Sequence, residues 1–372
     1  MLQLKHPKTH QSLEVNEFWL RDHCRCGECL NTETNQRRYD LLELPADVKA
    51  SQHNWQPSDG NDEPQLRVLW SDGHRSSYAA NFIFDAQLEQ LISRRTKSTS
   101  LTPWNRSIVL QNERHLRFSL PQLMASDEQV KSLVASLVRY GIIFIDDVSP
   151  TPTMTELALR RIFPLMKTFF GEMWTFSDKK DHADTAYTQL YLGSHTDNTY
   201  FCDAAGLQAL HCIEHSGDAA GGENFFVDGL HVVHELRRQY PAAYELLTRV
   251  QVPAEYIEPG EHHRHTAPLI RIDPLTGELV QLRLNIYDRA VFDTLPQSEM
   301  AEFYASLRLL LQLVREEEHQ WQLKLSPGCI VLFDNWRVLH GRHAYTGRRT
   351  MSGAYVQRTD FQSKARTLGI IE

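Results

Sequence analysis

The sequence predicts a mostly β protein with flanking helices. Its main part reads as a double-stranded β-helix of the jelly-roll kind, preceded by a small β-rich N-terminal domain. Three observations predict this. Beyond residue 185 short strand candidates dominate, at 207–213, 224–227, 280–284, 329–333 and 350–357, with one helix, about 297–317, among them. Ahead of them stand two amphipathic helical stretches with an apolar run between. Residues 1–96 alternate short apolar stretches with turn-formers. Helices flanking many short antiparallel strands fit a double-sheet roll with helical buttresses and an open mouth.

In order along the chain, Phe18-Trp19-Leu20 and Leu66-Arg67-Val68-Leu69-Trp70 are strand-like stretches, separated by turns such as Asp59-Gly60-Asn61-Asp62 and Ser71-Asp72-Gly73. The polar stretch Ser93 to Ser100, ending near Pro103, reads as the linker to a second domain over 97–372. Ser126 is placed to cap a helix, with Asp127 and Glu128 near the positive end of its dipole. Val130, Leu133, Val134 and Leu137 recur on one face, Gly141 ends the helix, and Ile142 to Ile145 reads as a buried strand. A second helix is expected over 153–169, with Leu159, Phe163, Met166 and Phe170 in register. The His-rich run Glu261-His262-His263-Arg264-His265, bounded by Pro259-Gly260 and Pro268, reads as a solvated loop or lid, and Gly221-Gly222 as a turn.

At 372 residues, 41% hydrophobic and 23% charged, the chain is an ordinary globular mixture with room for two domains. Its 39 basic and 47 acidic residues leave a net charge of −8, which disfavours nucleic acid and anionic membrane as partners. No apolar run approaches a membrane span, and the start lacks the apolar core of a signal peptide, so a cytoplasmic protein is expected. Of six cysteines, three are crowded at 24, 26 and 29. The others, Cys202, Cys212 and Cys329, lie in apolar contexts and read as core filler.

The most informative motif is His195-Thr196-Asp197 with the distant His340. Two imidazoles and a carboxylate can take one face of a metal octahedron and leave the other positions open, the facial triad of non-haem Fe(II) oxygenases. With 18 histidines an HxD pair arises by chance, so the surroundings decide: Leu192 to Tyr200, Asp334 to Arg342, and a following Arg349. In an extended segment His195 and Asp197 project to one side. A dicarboxylate co-substrate held by iron at one end needs a cation at the other, and the planar fork of Arg suits it. Arg349 opens a strand candidate and is preferred over its neighbour Arg348. Cys24, Cys26 and Cys29 with His74 make a closed Cys3His zinc set, His23 being a rival fourth ligand.

Taken together these residues resemble the γ-butyrobetaine and trimethyllysine dioxygenase family of Fe(II)- and 2-oxoglutarate-dependent hydroxylases, and the trimethyllysine branch most closely. The stretches that carry the resemblance are Phe170 to Trp174, Asp184 to Thr188, His195 to Phe201, Tyr287 to Val291, Asn335 to Arg342, and Tyr345 to Arg349. It implies iron ligands at His195, Asp197 and His340, a 2-oxoglutarate contact at Arg349, and structural zinc at Cys24, Cys26, Cys29 and His74. It also implies a trimethylammonium cage from Phe170, Trp174, Tyr187 and Tyr355, with Phe170 where the family often has Tyr. Asp184, where the butyrobetaine branch tends to carry Asn, would repel a carboxylate and attract an ammonium, which favours trimethyllysine. Asn285 is followed by Ile286 where the family often pairs two asparagines, so one polar substrate contact is missing.

The implied chemistry is hydroxylation of a small quaternary ammonium substrate with O2. Alternatives are γ-butyrobetaine or a trimethylaminoethylphosphonate as substrate, or a catalytically silent betaine-binding protein. The sequence leaves the oligomeric state open, a homodimer among the choices.

Overall fold

The computed structural model describes residues 1–56, 62–98, 101–177, 188–216 and 220–371. They form two compact units, Met1–Lys97 and Ser98–Glu372.

The first unit is built on a three-stranded antiparallel sheet of Ala50–Gln56, Gln65–Trp70 and Arg75–Ala79, with a hairpin of Leu2–Lys5 and Ser12–Val15. Leu4, Leu20, Leu66, Val68, Trp70 and Ile83 fill its core. Phe18-Trp19-Leu20 is not strand but part of helix Glu17–Asp22. Asn16 starts that helix, its side chain accepting from the Trp19 N–H at 2.9 Å. The polar stretch read as a linker is helical as far as Ser98, within helix Leu88–Ser98. The turn expected at 59–62 lies, Asp62 apart, outside the described residues.

The second unit is a double-stranded β-helix. One sheet has six strands: β1 (Arg117–Ser119), β2 (Ile142–Asp146), β3 (Met173–Phe176), β5 (Leu207–His215), β8 (Ile330–Asp334) and β10 (Arg349–Val356), in the order β3-β10-β5-β8-β2-β1. The other has four: β4 (Leu192–His195), β6 (Asn224–Asp228), β7 (Gln320–Leu323) and β9 (Val338–Arg342), in the order β4-β9-β6-β7. All pairs are antiparallel except β1 with β2.

The strand period of two explains the layering. On β5, Leu207 and Ala209 face outward into a core shared with helices Asp127–Tyr140, Pro152–Arg160 and Arg358–Thr367. Leu210 and Cys212 face inward and meet Phe226, Phe333, Val338 and Met351 from both sheets. The outer face of the four-stranded sheet, through Val227 and Leu339, packs on helices Gly229–Gln239, Pro241–Arg249 and Met300–Arg315. With both faces of each sheet covered, the strands read as near-continuous apolar runs. Each fully buried Leu or Phe contributes roughly 1.5–3 kcal/mol of burial energy.

Several elements differ from expectation. Helix Asp127–Tyr140 forms as read and ends at Gly141, whose φ of +74° suits glycine; Ser126 takes the N-cap position without a side-chain cap bond. The next helix stops at Arg160 rather than 169, because Pro164 removes a donor and crowds the carbonyl one turn back. The chain turns extended instead, and Met166 N–H donates to the Tyr355 carbonyl at 2.8 Å. The His-rich run is no loop: it lies in Glu261–Pro268, which pairs with Gln251–Glu258 as a hairpin turning at Gly260. Helices Gly229–Gln239, Pro241–Arg249 and Arg358–Thr367 lie where only strands and one helix were expected. Cys212 and Cys329 are buried, but Cys202 is exposed and is not core filler. No helix among the described residues is long and apolar enough to cross a membrane.

Candidate active site

Strands β4 and β9 pair so that His195 stands directly opposite His340, their rings 4.3 Å apart. His340 sits in the middle of its own strand, β9. Asp197 follows β4 by two residues and turns the same way as His195. Its Oδ1 lies 3.2 Å from His195 Nε2 and 3.7 Å from His340 Nε2. The structure thus brings together three donors 145 residues apart in sequence at their extremes, all within 4.8 Å of one another.

The donor chemistry fits a metal ion. His195 Nδ1 donates to the Gly193 carbonyl at 2.8 Å, which leaves the Nε2 lone pair aimed at the shared point. Burial works against charge on Asp197, but His340, His195 and the Tyr355 hydroxyl outweigh it and hold the carboxyl far below its usual range. Burial, helped by the neighbouring His195, pushes His340 down to about 3, so its ring is neutral, as a ligand must be. Asp197 is also held by its backbone. Asn335 Oδ1 accepts from its N–H at 2.8 Å, and Asn335 Nδ2 donates to its carbonyl at 3.1 Å.

These donors open into a cavity with about 860 Å³ of empty space, mouth included. Arg349, at the start of β10, lines it and is 3% exposed. Its Nη2 donates to Asn224 Oδ1 at 3.0 Å, and burial lowers its pKa. Arg348 points outward, 3.6 Å from Glu214. Inward positions alternate along β10, so Arg349, Met351, Gly353 and Tyr355 face the interior together. Gly353 is needed there: a Cβ would meet Trp174 Cη2 at 2.2 Å and the Ala209 carbonyl at 2.4 Å.

Trp174 and Tyr355 form one wall, ring centroids 5.5 Å apart at 50°. Phe170 also lines the cavity, its ring tilted 39° against that of Phe169 at 3.9 Å. Asn285 lines it too, its Nδ2 donating to Asp288 Oδ2 at 2.7 Å. Asp184 and Tyr187 lie outside the described residues.

Sequence reasoning missed Asn198, Gln208, Tyr287 and Asp288, all of which line the cavity. Asn198 Oδ1, Gln208 Oε1 and Trp174 Nε1 are buried there without a hydrogen-bond partner among the described residues. For Gln208 there was a signal, a polar residue among the apolar residues that open β5. Tyr287 ties its loop to β4, its hydroxyl accepting from the Gly193 N–H at 2.8 Å.

In the first unit, Sγ of Cys24, Cys26 and Cys29 lie 3.3, 3.5 and 3.5 Å from His74 Nε2. A tetrahedral zinc with ordinary Zn–N and Zn–S lengths has an N–S edge of about 3.5 Å, so this set fits the ion. His23 is not part of it; its ring stacks on Trp19 at 4.6 Å.

A facial set of two imidazoles and a carboxylate inside a double-stranded β-helix defines a class, the Fe(II)- and 2-oxoglutarate-dependent dioxygenases. The chain belongs to the taurine catabolism dioxygenase TauD, TfdA family, whose model matches residues 97–355. Residues 2–84 match the gamma-butyrobetaine hydroxylase-like N-terminal domain. The mitochondrial trimethyllysine dioxygenase of Gallus gallus is 36% identical over 95% of this chain and 82% of its own length. The human one is 35% identical over 96% and 83%, and trimethyllysine dioxygenase of Meyerozyma guilliermondii is 31% identical over 96% and 91%. The resemblance read from the motifs is therefore a kinship along most of the chain. The solved structure of AAD-2 in complex with Mn(II) and N-oxalylglycine has a TM-score of 0.50 at 14% identity, over 62% of this chain and 90% of that one; it shares the fold. The family uses Fe(II), 2-oxoglutarate and O2.

Proposed function

We infer that this dioxygenase hydroxylates trimethyllysine, with iron held by His195, Asp197 and His340. The observation that carries the reading is one cavity lined by the three donors, by Arg349 and by the aromatic pair Trp174 and Tyr355. Relatives named trimethyllysine dioxygenase, matched over most of the chain, support the substrate. Iron with bound 2-oxoglutarate and O2 supplies the oxidising power that converts a C–H to C–OH, with succinate and CO2 released.

The chain's own residues bind and align. Arg349 pairs through its fork with the distal carboxylate of 2-oxoglutarate; buried and held by Asn224, it is oriented before the ligand arrives. Trp174, Tyr355 and Phe170 offer ring faces to the trimethylammonium head, each favourable contact adding about 0.5–2 kcal/mol. That grip fixes which carbon stands by the metal. Asp184 and Asn285 take the amino-acid end. The aromatic walls exclude water from the reacting centre.

Cys24, Cys26, Cys29 and His74 hold a structural Zn(II) in the first unit. A reducing compartment, the cytoplasm, suits six cysteines of which none is in a disulfide.

Succinate release measured with trimethyllysine, γ-butyrobetaine, lysine and choline tests the substrate. Trimethyllysine should stimulate most. Stimulation by none of them would remove the quaternary-amine assignment.

A further inference from the structure

Tyr355 stands where the aromatic wall meets the metal donors, and its two ends face different tasks. Its ring is on the cavity wall beside Trp174. Its hydroxyl donates to Asp197 Oδ2 at 2.6 Å. The other carboxylate oxygen, Oδ1, is the one that faces the two imidazoles. The two oxygens of Asp197 are thus divided between neighbours. An O–H donor this close to a carboxylate makes a charge-assisted bond, about twice as strong as a neutral one.

We propose that Tyr355 is a positioning residue for the metal. By occupying Oδ2 it makes Asp197 a one-oxygen ligand and keeps the remaining positions for co-substrate and O2. A carboxylate can bind a cation through one oxygen or both. Binding through both would consume a position that the reaction needs. The phenol is well placed to prevent this. It sits on β10, opposite Gln208, 6% exposed, with its carbonyl tied to Met166 N–H. Asn335 holds the backbone of Asp197, so the carboxylate is restrained at both ends. One side chain then faces the substrate's cation with its ring and orients the metal's anionic ligand with its hydroxyl. The inference rests on the reading of Asp197 as an iron ligand.

Tyr355→Phe keeps the ring and deletes the hydroxyl. The full-length protein, freed of iron, is titrated with Mn(II) by calorimetry, and separately with trimethyllysine; thermal melts confirm the fold. Partners of metal ligands typically carry 10- to 100-fold in affinity. The expected result is a Mn(II) Kd weakened by roughly that factor, with the trimethyllysine Kd moving less than about threefold. Tyr355→Leu, which removes ring and hydroxyl, should weaken both. A Mn(II) Kd for Tyr355→Phe within about twofold of wild type overturns the proposal. So does an equal loss of metal and trimethyllysine affinity, which marks general loosening of the cavity. Asp197→Ala separates the two readings. If that variant still binds Mn(II) as tightly as wild type, the ligand assignment itself is wrong and the role of Tyr355 falls with it.

Discussion

Trp174 has its ring 5.5 Å from those of Phe176 and Tyr355, and an N–H buried without a partner among the described residues. Its contribution to binding should be separable from that of the metal end. Trp174→Ala should raise the KM for trimethyllysine about tenfold or more, the loss of one or two cation–π contacts. The KM for 2-oxoglutarate should stay within about twofold, since Arg349 is untouched. Equal losses for both would make Trp174 structural. His211 gives a prediction in stability. It is fully buried, its Nδ1 2.7 Å from Thr155 Oγ1 and its Nε2 without a partner among the described residues, and burial lowers its pKa to about 4. Between pH 6.5 and about 4 the unfolded chain takes up a proton here that the folded chain refuses, so stability falls as pH falls through that window. The group's share approaches about 3 kcal/mol at the low end and vanishes above pH 7. Urea midpoints of His211→Gln should fall less steeply than wild type from pH 7 to 4.5; identical slopes would refute it. At this scale His195, Asp197 and His340 were legible through their flanking sequences. Asn335 was not assigned, because its role depends on neighbours far away in the chain: it bonds to Asp197 and Ala205.

Among the elements, legibility followed the number of layers each one touches. Helix Asp127–Tyr140 has one buried face, a clear period and a glycine stop, and its bounds were readable. Helix Gly229–Gln239 opens with Gly229, Leu230, Val232 and Val233 all buried, which blurs its period toward that of a strand. Helix Arg358–Thr367 buries only Phe361 and Ala365, too few to announce a face. The hairpin of Gln251–Glu258 with Glu261–Pro268 was hidden by histidine and charge on its solvated side. Strand β10 carries its own prediction. Because a Cβ at Gly353 would strike both Trp174 and the Ala209 carbonyl, Gly353→Ala should cost about 1–3 kcal/mol and also raise the KM for trimethyllysine. Urea unfolding and steady-state kinetics check the two effects. No change in either would mean that the strand and the indole have room to spare.

For the whole molecule, the two units draw stability from different sources. The second has cores on both sides of each sheet. The first, Met1–Lys97, has a single core and the Cys3His cluster. Small domains often lean on a metal for folding energy. Chelation of zinc should therefore raise hydrogen exchange across residues 1–97 while the strands of the second unit stay protected. Exchange that is unchanged, or that rises uniformly, would argue that the cysteines hold no structural ion.

The pairing of His195 with His340 across neighbouring strands carries a further consequence. A slip of β9 by a single residue would send His340 out toward the helices, since successive side chains alternate between faces. Such a misaligned chain could still bury much of its apolar surface, yet it would have lost one of its three ion-binding groups. On the proposed reading of these residues as iron ligands, binding of the ferrous ion would favour properly threaded molecules over near misses.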